Sequence, residues 1–136
     1  MNIGLLDRRR TILLVDADPH ARAALRVALE AAEFSVGEAA NDQEGERTAL
    51  RIKPDAVIAE LSLDAGDAGM TIAEWLHANS KIPCYILSNA ADALMGSVGL
   101  HEIGISGVFL KPVDTAIVIQ TLKTRLVVAW RETRHA

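Results

Sequence analysis

Short apolar runs alternate with longer amphipathic stretches along this chain, and clusters of turn-forming residues separate them. The most informative run is Pro54-Asp55-Ala56-Val57-Ile58-Ala59-Glu60-Leu61. A helix-breaking proline opens it, β-branched and apolar residues fill it, and it is too short for a free helix. It ends by delivering one carboxylate, Glu60. That is the pattern of a central parallel strand covered on both faces. Thr11–Val15 reads as the first strand and stops at Asp16-Ala17-Asp18-Pro19, where Asp18 suits an N-cap and Pro19 the first helical position. In the helix that follows, Ala21, Ala24, Leu25, Ala28 and Leu29 repeat at helical spacing and predict a buried stripe.

The stretch 34–39 alternates imperfectly as a second strand, and Asp42 is placed to cap a polar helix over 44–51. A turn-rich loop over 62–69 leads to a third helix over 70–79, with Ile72, Ala73, Leu76 and Trp75 facing inward. The fourth strand is 84–87, ending at Ser88-Asn89, and a fourth helix is expected over 91–103. Gly96 and Gly99 weaken that helix by about 1 kcal/mol each relative to alanine. The fifth strand is 107–110, followed by Lys111-Pro112 and a final helix from 114 to about 131. Five strands alternating with five helices over short connections predict an α/β single domain with a doubly wound, five-stranded parallel sheet.

Composition narrows the partners. The 136 residues are half apolar and match one ordinary globular domain with a single real core. Eighteen acidic against fourteen basic residues give a net charge of −4, which makes no long-range case for nucleic acid or an anionic membrane. The basic residues gather at Arg8-Arg9-Arg10 and around Arg125, Arg131 and Arg134, and read as solvated ends. Cys84 has no second cysteine to pair with and lies in an apolar run, so a buried, inert thiol in a reducing compartment is expected. No apolar stretch approaches the roughly 20 residues that span a bilayer, and the N-terminus is the reverse of a secretory signal. A cytoplasmic protein is expected.

In an open parallel sheet the functional crevice lies beyond the carboxyl ends of the strands. Asp16 and Asp18 follow the first strand, Glu60 ends the third, Ser88 follows the fourth and Lys111 follows the fifth. Three carboxylates, a hydroxyl and an ammonium group are thereby predicted to share one crevice. Each residue alone is weak evidence; their common position on successive strands carries the inference.

Over about residues 11 to 126 the chain resembles the receiver domain of two-component response regulators, the CheY-like superfamily. The likeness rests on Ile12-Leu13-Leu14-Val15-Asp16 with Asp18-Pro19, on Pro54-Asp55 leading to Glu60-Leu61, on Ile82-Pro83 with Ser88, and on Phe109-Leu110-Lys111-Pro112. It implies an N-terminal extension over 1–10, a receiver-like domain over 11–130 and a tail over 131–136, with flavodoxin-like strand order. In that family an aspartate at the position of Glu60 takes a phosphoryl group from a histidine kinase, and an acidic pair after the first strand holds magnesium. A Thr or Ser at the position of Ser88 and the lysine at Lys111 contact the phosphoryl oxygens.

The departures from that pattern are informative. Two anionic groups must meet in the transfer, which needs a cation with near-octahedral oxygen ligands. Here Ala17 replaces the second acid of the pair, leaving Asp16, with Asp18 and Glu60 as weak metal candidates; no cofactor is expected, and magnesium at most weakly. Glu60 carries its carboxylate one methylene farther than an aspartate, enough to spoil in-line attack. Val108 stands where the family has a Tyr or Phe switch, and Asp64-Ala65-Gly66 replaces a Met-Pro-Gly segment with one apparent insertion.

The expected function is that of a stand-alone, non-enzymatic pseudo-receiver, a protein-interaction module in phosphorelay signalling whose partner is a histidine kinase or another regulator. A working receiver that binds a divalent ion and accepts phosphate weakly or elsewhere is the alternative. A flavodoxin-like cofactor binder is the third reading, and the chain lacks both its phosphate loop and a GxxxxGK[ST] motif. With no output domain after the last helix, direct DNA binding is not expected. On that helix Val118, Leu122 and Ala129 form the inward stripe, leaving Ile119, Val127 and Trp130 for a homodimer or partner contact. Folding back of Trp130 over Ile3, Leu5 and Leu6 is the other reading.

Overall fold

The computed structural model describes residues 9–60, 68–88 and 104–135, the side chains at 68–71 and 127–135 excepted. Strands β1 (Thr11–Val15), β2 (Ser35–Ala39), β3 (Ala56–Glu60), β4 (Cys84–Ser88) and β5 (Ile105–Leu110) form one sheet in the order β2-β1-β3-β4-β5. Every pairing is parallel. The described helices are α1 (Pro19–Ala31), α2 (Asp42–Ile52), α3 (Ala68–Asn79) and α4 (Thr115–His135). The helix expected over 91–103, the loop at 62–67 and residues 1–8 lie outside the described residues.

Successive side chains of a strand point to opposite faces, so an unbroken apolar run supplies two cores at once. On one face Leu13, Val15, Val57, Ala59 and Ile86 pack with Ala49 of α2 and with Ile72, Ala73 and Leu76 of α3. On the other, Ile12, Leu14, Ile58, Tyr85 and Leu87 pack with Leu25 and Leu29 of α1 and with Val118, Leu122 and Leu126 of α4. Each fully buried Leu or Ile contributes about 1.5–3 kcal/mol. That alternation commits the chain to helices on both sides of the sheet. Cys84 is buried at the start of β4, and loss of solvation pushes its thiol up to about 12.

Local details depart from expectation for identifiable reasons. Asn41, not Asp42, caps α2: its backbone is extended and its side chain accepts from the Glu44 N–H at 2.9 Å, while Glu44 reaches back to the Ala40 N–H. Asp42 is the first helical residue; burial and nearby Glu46 push its carboxyl up to about 6, although it accepts from the Ile72 N–H. Ala24, placed by its spacing on the buried stripe of α1, is exposed. On α4, Ile119 packs against the core instead of facing away from it; Ile117 is the exposed apolar residue. The backbone of α4 continues to His135, past the end expected near residue 131, while the side chains of Val127 and Trp130 lie outside the described residues.

Strand β5 begins earlier than its sequence suggests, because it holds a β-bulge. Cys84 pairs with Ile105 but Tyr85 pairs with Gly107, so Ser106 is the extra residue. A Cβ at Gly107 would come within 3.1 Å of the Tyr85 ring, so a larger residue there would have to push that ring aside by a few tenths of an ångström.

The C-terminus of α1 is a Schellman motif: Phe34 N–H bonds the Leu29 carbonyl, Glu33 N–H bonds that of Glu30, and Phe34 and Leu29 meet in the core. Glu33 occupies its left-handed position, with φ 72°. Glycine suits that position, so Glu33→Gly is expected to raise stability by roughly 1 kcal/mol in urea melts. Unchanged or lower stability would mean the glutamate is not strained. A second site is the buried Tyr85, whose ring stacks on Phe109 at 5.4 Å but whose hydroxyl has no hydrogen-bond partner among the described residues. Tyr85→Phe is expected to stabilise by about 1 kcal/mol by removing that orphan group; a loss of stability would reveal a partner.

Candidate functional site

Because the interiors of the central strands β1, β3 and β4 are apolar on both faces, charged side chains near them sit at their ends, and Glu38 is carried by the edge strand β2. Asp16 follows β1, Glu60 ends β3, Ser88 ends β4 and Lys111 follows β5. The Lys111 ammonium donates to Glu60 Oε2 in a direct ion pair and lies 3.5 Å from Asp16 Oδ2. The backbone assists: Lys111 N–H donates to the Ser88 carbonyl at 3.0 Å, and the Lys111-Pro112 bond is cis. Asp16 and Ser88 are buried, whereas Glu60 and Lys111 are each about one-fifth exposed at the side chain.

Asp16 is held from several directions. Asp18 N–H donates to its Oδ1 at 2.8 Å, and its own N–H donates to the Ala39 carbonyl at 3.0 Å. The Arg22 guanidinium donates to its backbone carbonyl and to Glu38 Oε1 at 2.8 Å, and Arg26 donates to the other Glu38 oxygen. Sequence reasoning missed Arg22. Its signal was position: a long cation one turn after the cap, in an alanine-rich stretch, reaches back to the end of β1. Asp18 itself stays out of the ion cluster; it is exposed and accepts from the His20 and Ala21 N–H groups, and these bonds hold its carboxyl below the usual range.

The two inner carboxylates divide their roles. Burial, together with hydrogen bonding to Glu60, raises Asp16 above the ordinary aspartate range. Burial also pushes Glu60 upward, but its bonds to Asp16 and Lys111 outweigh this and leave it lowered. Lys111 loses solvation as well, yet the two carboxylates raise it overall. Asp16 is thus the readier holder of a proton, and Glu60 the anion that faces the ammonium.

These residues do not fit a divalent cation. Ala17 supplies no side-chain oxygen, Asp18 is committed to its helix, and Lys111 already neutralises Glu60. Among the described residues no group of three His, Cys, Asp or Glu is arranged to hold a metal ion.

A profile described as the response regulator receiver domain matches residues 12–123. The DNA-binding response regulator MtrA of Mycolicibacterium smegmatis is 26% identical over 118 residues, which cover 87% of this chain; the chain spans about half, 51%, of that relative's length. Among solved structures, the signal receiver domain of an HD domain-containing protein from Pseudomonas fluorescens superposes with TM-score 0.80 at 21% identity, covering 95% of each chain. A LuxR-family two-component response regulator from Aurantimonas superposes with TM-score 0.73 at 27% identity, covering 88% of this chain and 86% of that one. Among the described residues no helix is long and apolar enough to cross a membrane.

The ion cluster makes a stability prediction. Lys111→Met leaves two carboxylates facing each other in a partly desolvated crevice and is expected to cost on the order of 1–2 kcal/mol; Lys111→Met with Glu60→Gln is expected to cost less. The pH dependence follows from the shift directions. Glu60 is lowered, so its contribution is present above about 4.3 and is lost as pH falls through its folded value. Lys111 is raised, so its contribution is present below about 10.4 and is lost as pH rises through its folded value. Asp16, a raised acid, acts in the opposite sense to Glu60: its contribution is lost as pH rises. The gap between wild type and Lys111→Met is therefore expected to close in acid; a gap independent of pH would exclude the pair as its cause.

Proposed function

The chain belongs to the response regulator receiver domain family of two-component signalling, and on that footing we propose that it is a pseudo-receiver in which Glu60 stands at the phospho-acceptor position. Receivers of this family engage histidine kinases or other regulators. The observation that carries the finer reading is the Glu60–Lys111 ion pair. An acceptor carboxylate must be free to attack in line, beside a cation that neutralises the incoming phosphoryl oxygens. Here the carboxylate is set one methylene farther out, is already bonded to the ammonium, and has Ala17 where a ligand oxygen is needed. Asp16, Ser88 and Lys111 remain as the framework of the crevice, without a competent acceptor.

The same pair places a permanent negative group beside Lys111 and near Ser88, so the surface around the crevice is held in one state without a phosphorylation cycle. Val108 adds to this: it is partly buried against the α2–α3 side of the core, and its small branched side chain cannot swing as an aromatic ring does. What is left to the domain is recognition. Leu110 on β5 and Ile117 on α4, each 57% exposed, offer apolar contact to a partner or a second copy on that side, as Val27 of α1 and Leu50 of α2 do elsewhere on the surface.

Incubation with acetyl phosphate and magnesium, followed by intact-mass measurement, tests the reading. The wild-type chain is expected to stay unmodified, and Ala17→Asp with Glu60→Asp to gain label more than either change alone, since one ion would use both carboxylates. A wild-type chain that takes up one phosphoryl group, and loses it on Glu60→Gln, would overturn the proposal.

A further inference from the structure

The opposite end of the sheet holds a cavity of about 730 Å³ that the receiver reading leaves without a role. Its wall is built mostly at the ends of the strands and helices: Arg10 before β1, Asp55 before β3, His77 in the last turn of α3, Lys81 between α3 and β4, Ser106 in β5, and Arg125 of α4. The two basic clusters separated by most of the sequence, at Arg8–Arg10 and around Arg125, each send a residue into it. Three permanent cations, Arg10, Lys81 and Arg125, thus face one carboxylate. That carboxylate is already engaged, accepting from the Thr11 N–H at 2.7 Å and lying 3.7 Å from Arg10. Lys81 and Arg125 have no carboxylate within ion-pairing distance among the described residues, although the whole chain carries net negative charge.

We propose that this cavity binds a phosphate-bearing small ligand of nucleotide size. Cationic groups gathered in one concavity favour a polyanion, and arginine forks suit phosphate oxygens. The volume is in the range of small-molecule sites, about 300–1,000 Å³. Two backbone features shape the wall. Gly104 has φ 83° and lies so close to His77 that a Cβ there would come within 2.6 Å of it. Ser106 is the extra residue of the β5 bulge, and bulges re-aim side chains beside binding sites. The site is at the far end of the strands from Glu60 and Lys111, so it stands independently of the pseudo-receiver reading.

The test is calorimetric titration of the full chain with pyrophosphate and with adenosine triphosphate at low salt, paralleled by amide shifts. Saturable binding is expected, with the largest shifts at Lys81, Gly104 and Ser106, and with the triphosphate the tighter because its nucleoside fills the remaining volume. Lys81→Gln and Arg125→Gln, both at exposed positions, are each expected to weaken binding about tenfold. Lys123→Gln, which removes an exposed cation of α4 outside the cavity, should leave it unchanged. No saturation at millimolar ligand, equal losses in all three variants, or shifts confined to the Asp16–Glu60 end would each overturn the proposal. Pyrophosphate binding as tightly as the triphosphate would reject the nucleotide-sized ligand.

Discussion

A parallel sheet covered on both faces gives charged groups two places to go, and they are its ends. Among the central strands, β1, β3 and β4 carry apolar side chains toward both helical layers, so a charge within them would be stranded without water or a partner. Glu60 is tolerated because it is the last residue of β3, where Lys111 reaches it from the end of β5. The same exclusion acts at the other edge, where Asp55 precedes β3 and is held by Arg10 and the Thr11 N–H. The polarity of the strands therefore separates an acid-rich crevice from a cation-rich one within a single small domain.

Much of this was legible in the chain, because the periods are unambiguous where apolar runs are pure. Ile12 to Val15 and Ala56 to Ala59 have no polar interruption, so strand, burial and parallel pairing follow together. Glu60, Ser88 and Lys111 fall at the ends of successive apolar runs, so the sequence itself puts them at one end of the sheet. What stayed hidden depends on geometry that local pattern does not encode. Asn41 and Asp42 are both good caps, and only the extended backbone at Asn41 decides between them. Ile119 and Ile117 differ by half a turn of α4, and which of them meets the core depends on how that helix sits against α1. The one trace of Arg22 in the chain is its position a turn after the cap; that it bonds both the Asp16 carbonyl and Glu38 depends on how α1 sits against β1 and β2.

The unequal distances of Asp16 and Glu60 from Lys111 show why one methylene matters. Both carboxylates lose solvation, yet Glu60 reaches the ammonium closely while Asp16 stays at 3.5 Å and is raised. The longer side chain wins the cation. A shorter residue at position 60 would have its oxygens nearer the backbone and would share Lys111 differently with Asp16. The proposed loss of phosphoryl chemistry and the proposed gain of a fixed charge state are thus two results of a single change in reach.

The bulge at Ser106 also bears on how the chain tolerates changes of length. A residue inserted into or removed from a regular strand inverts the facing of everything beyond it, exchanging core for solvent. In β5 the extra residue lets Ile105 and Val108 share a face across an odd spacing, while Phe109 keeps its place beside Tyr85. Loss of Ser106 alone would leave Gly107 opposite Tyr85 and Lys111 at the strand's end. This edge strand therefore carries slack: a single-codon deletion there could be absorbed without moving the lysine, whereas the same deletion within β1 or β3 would turn the core inside out.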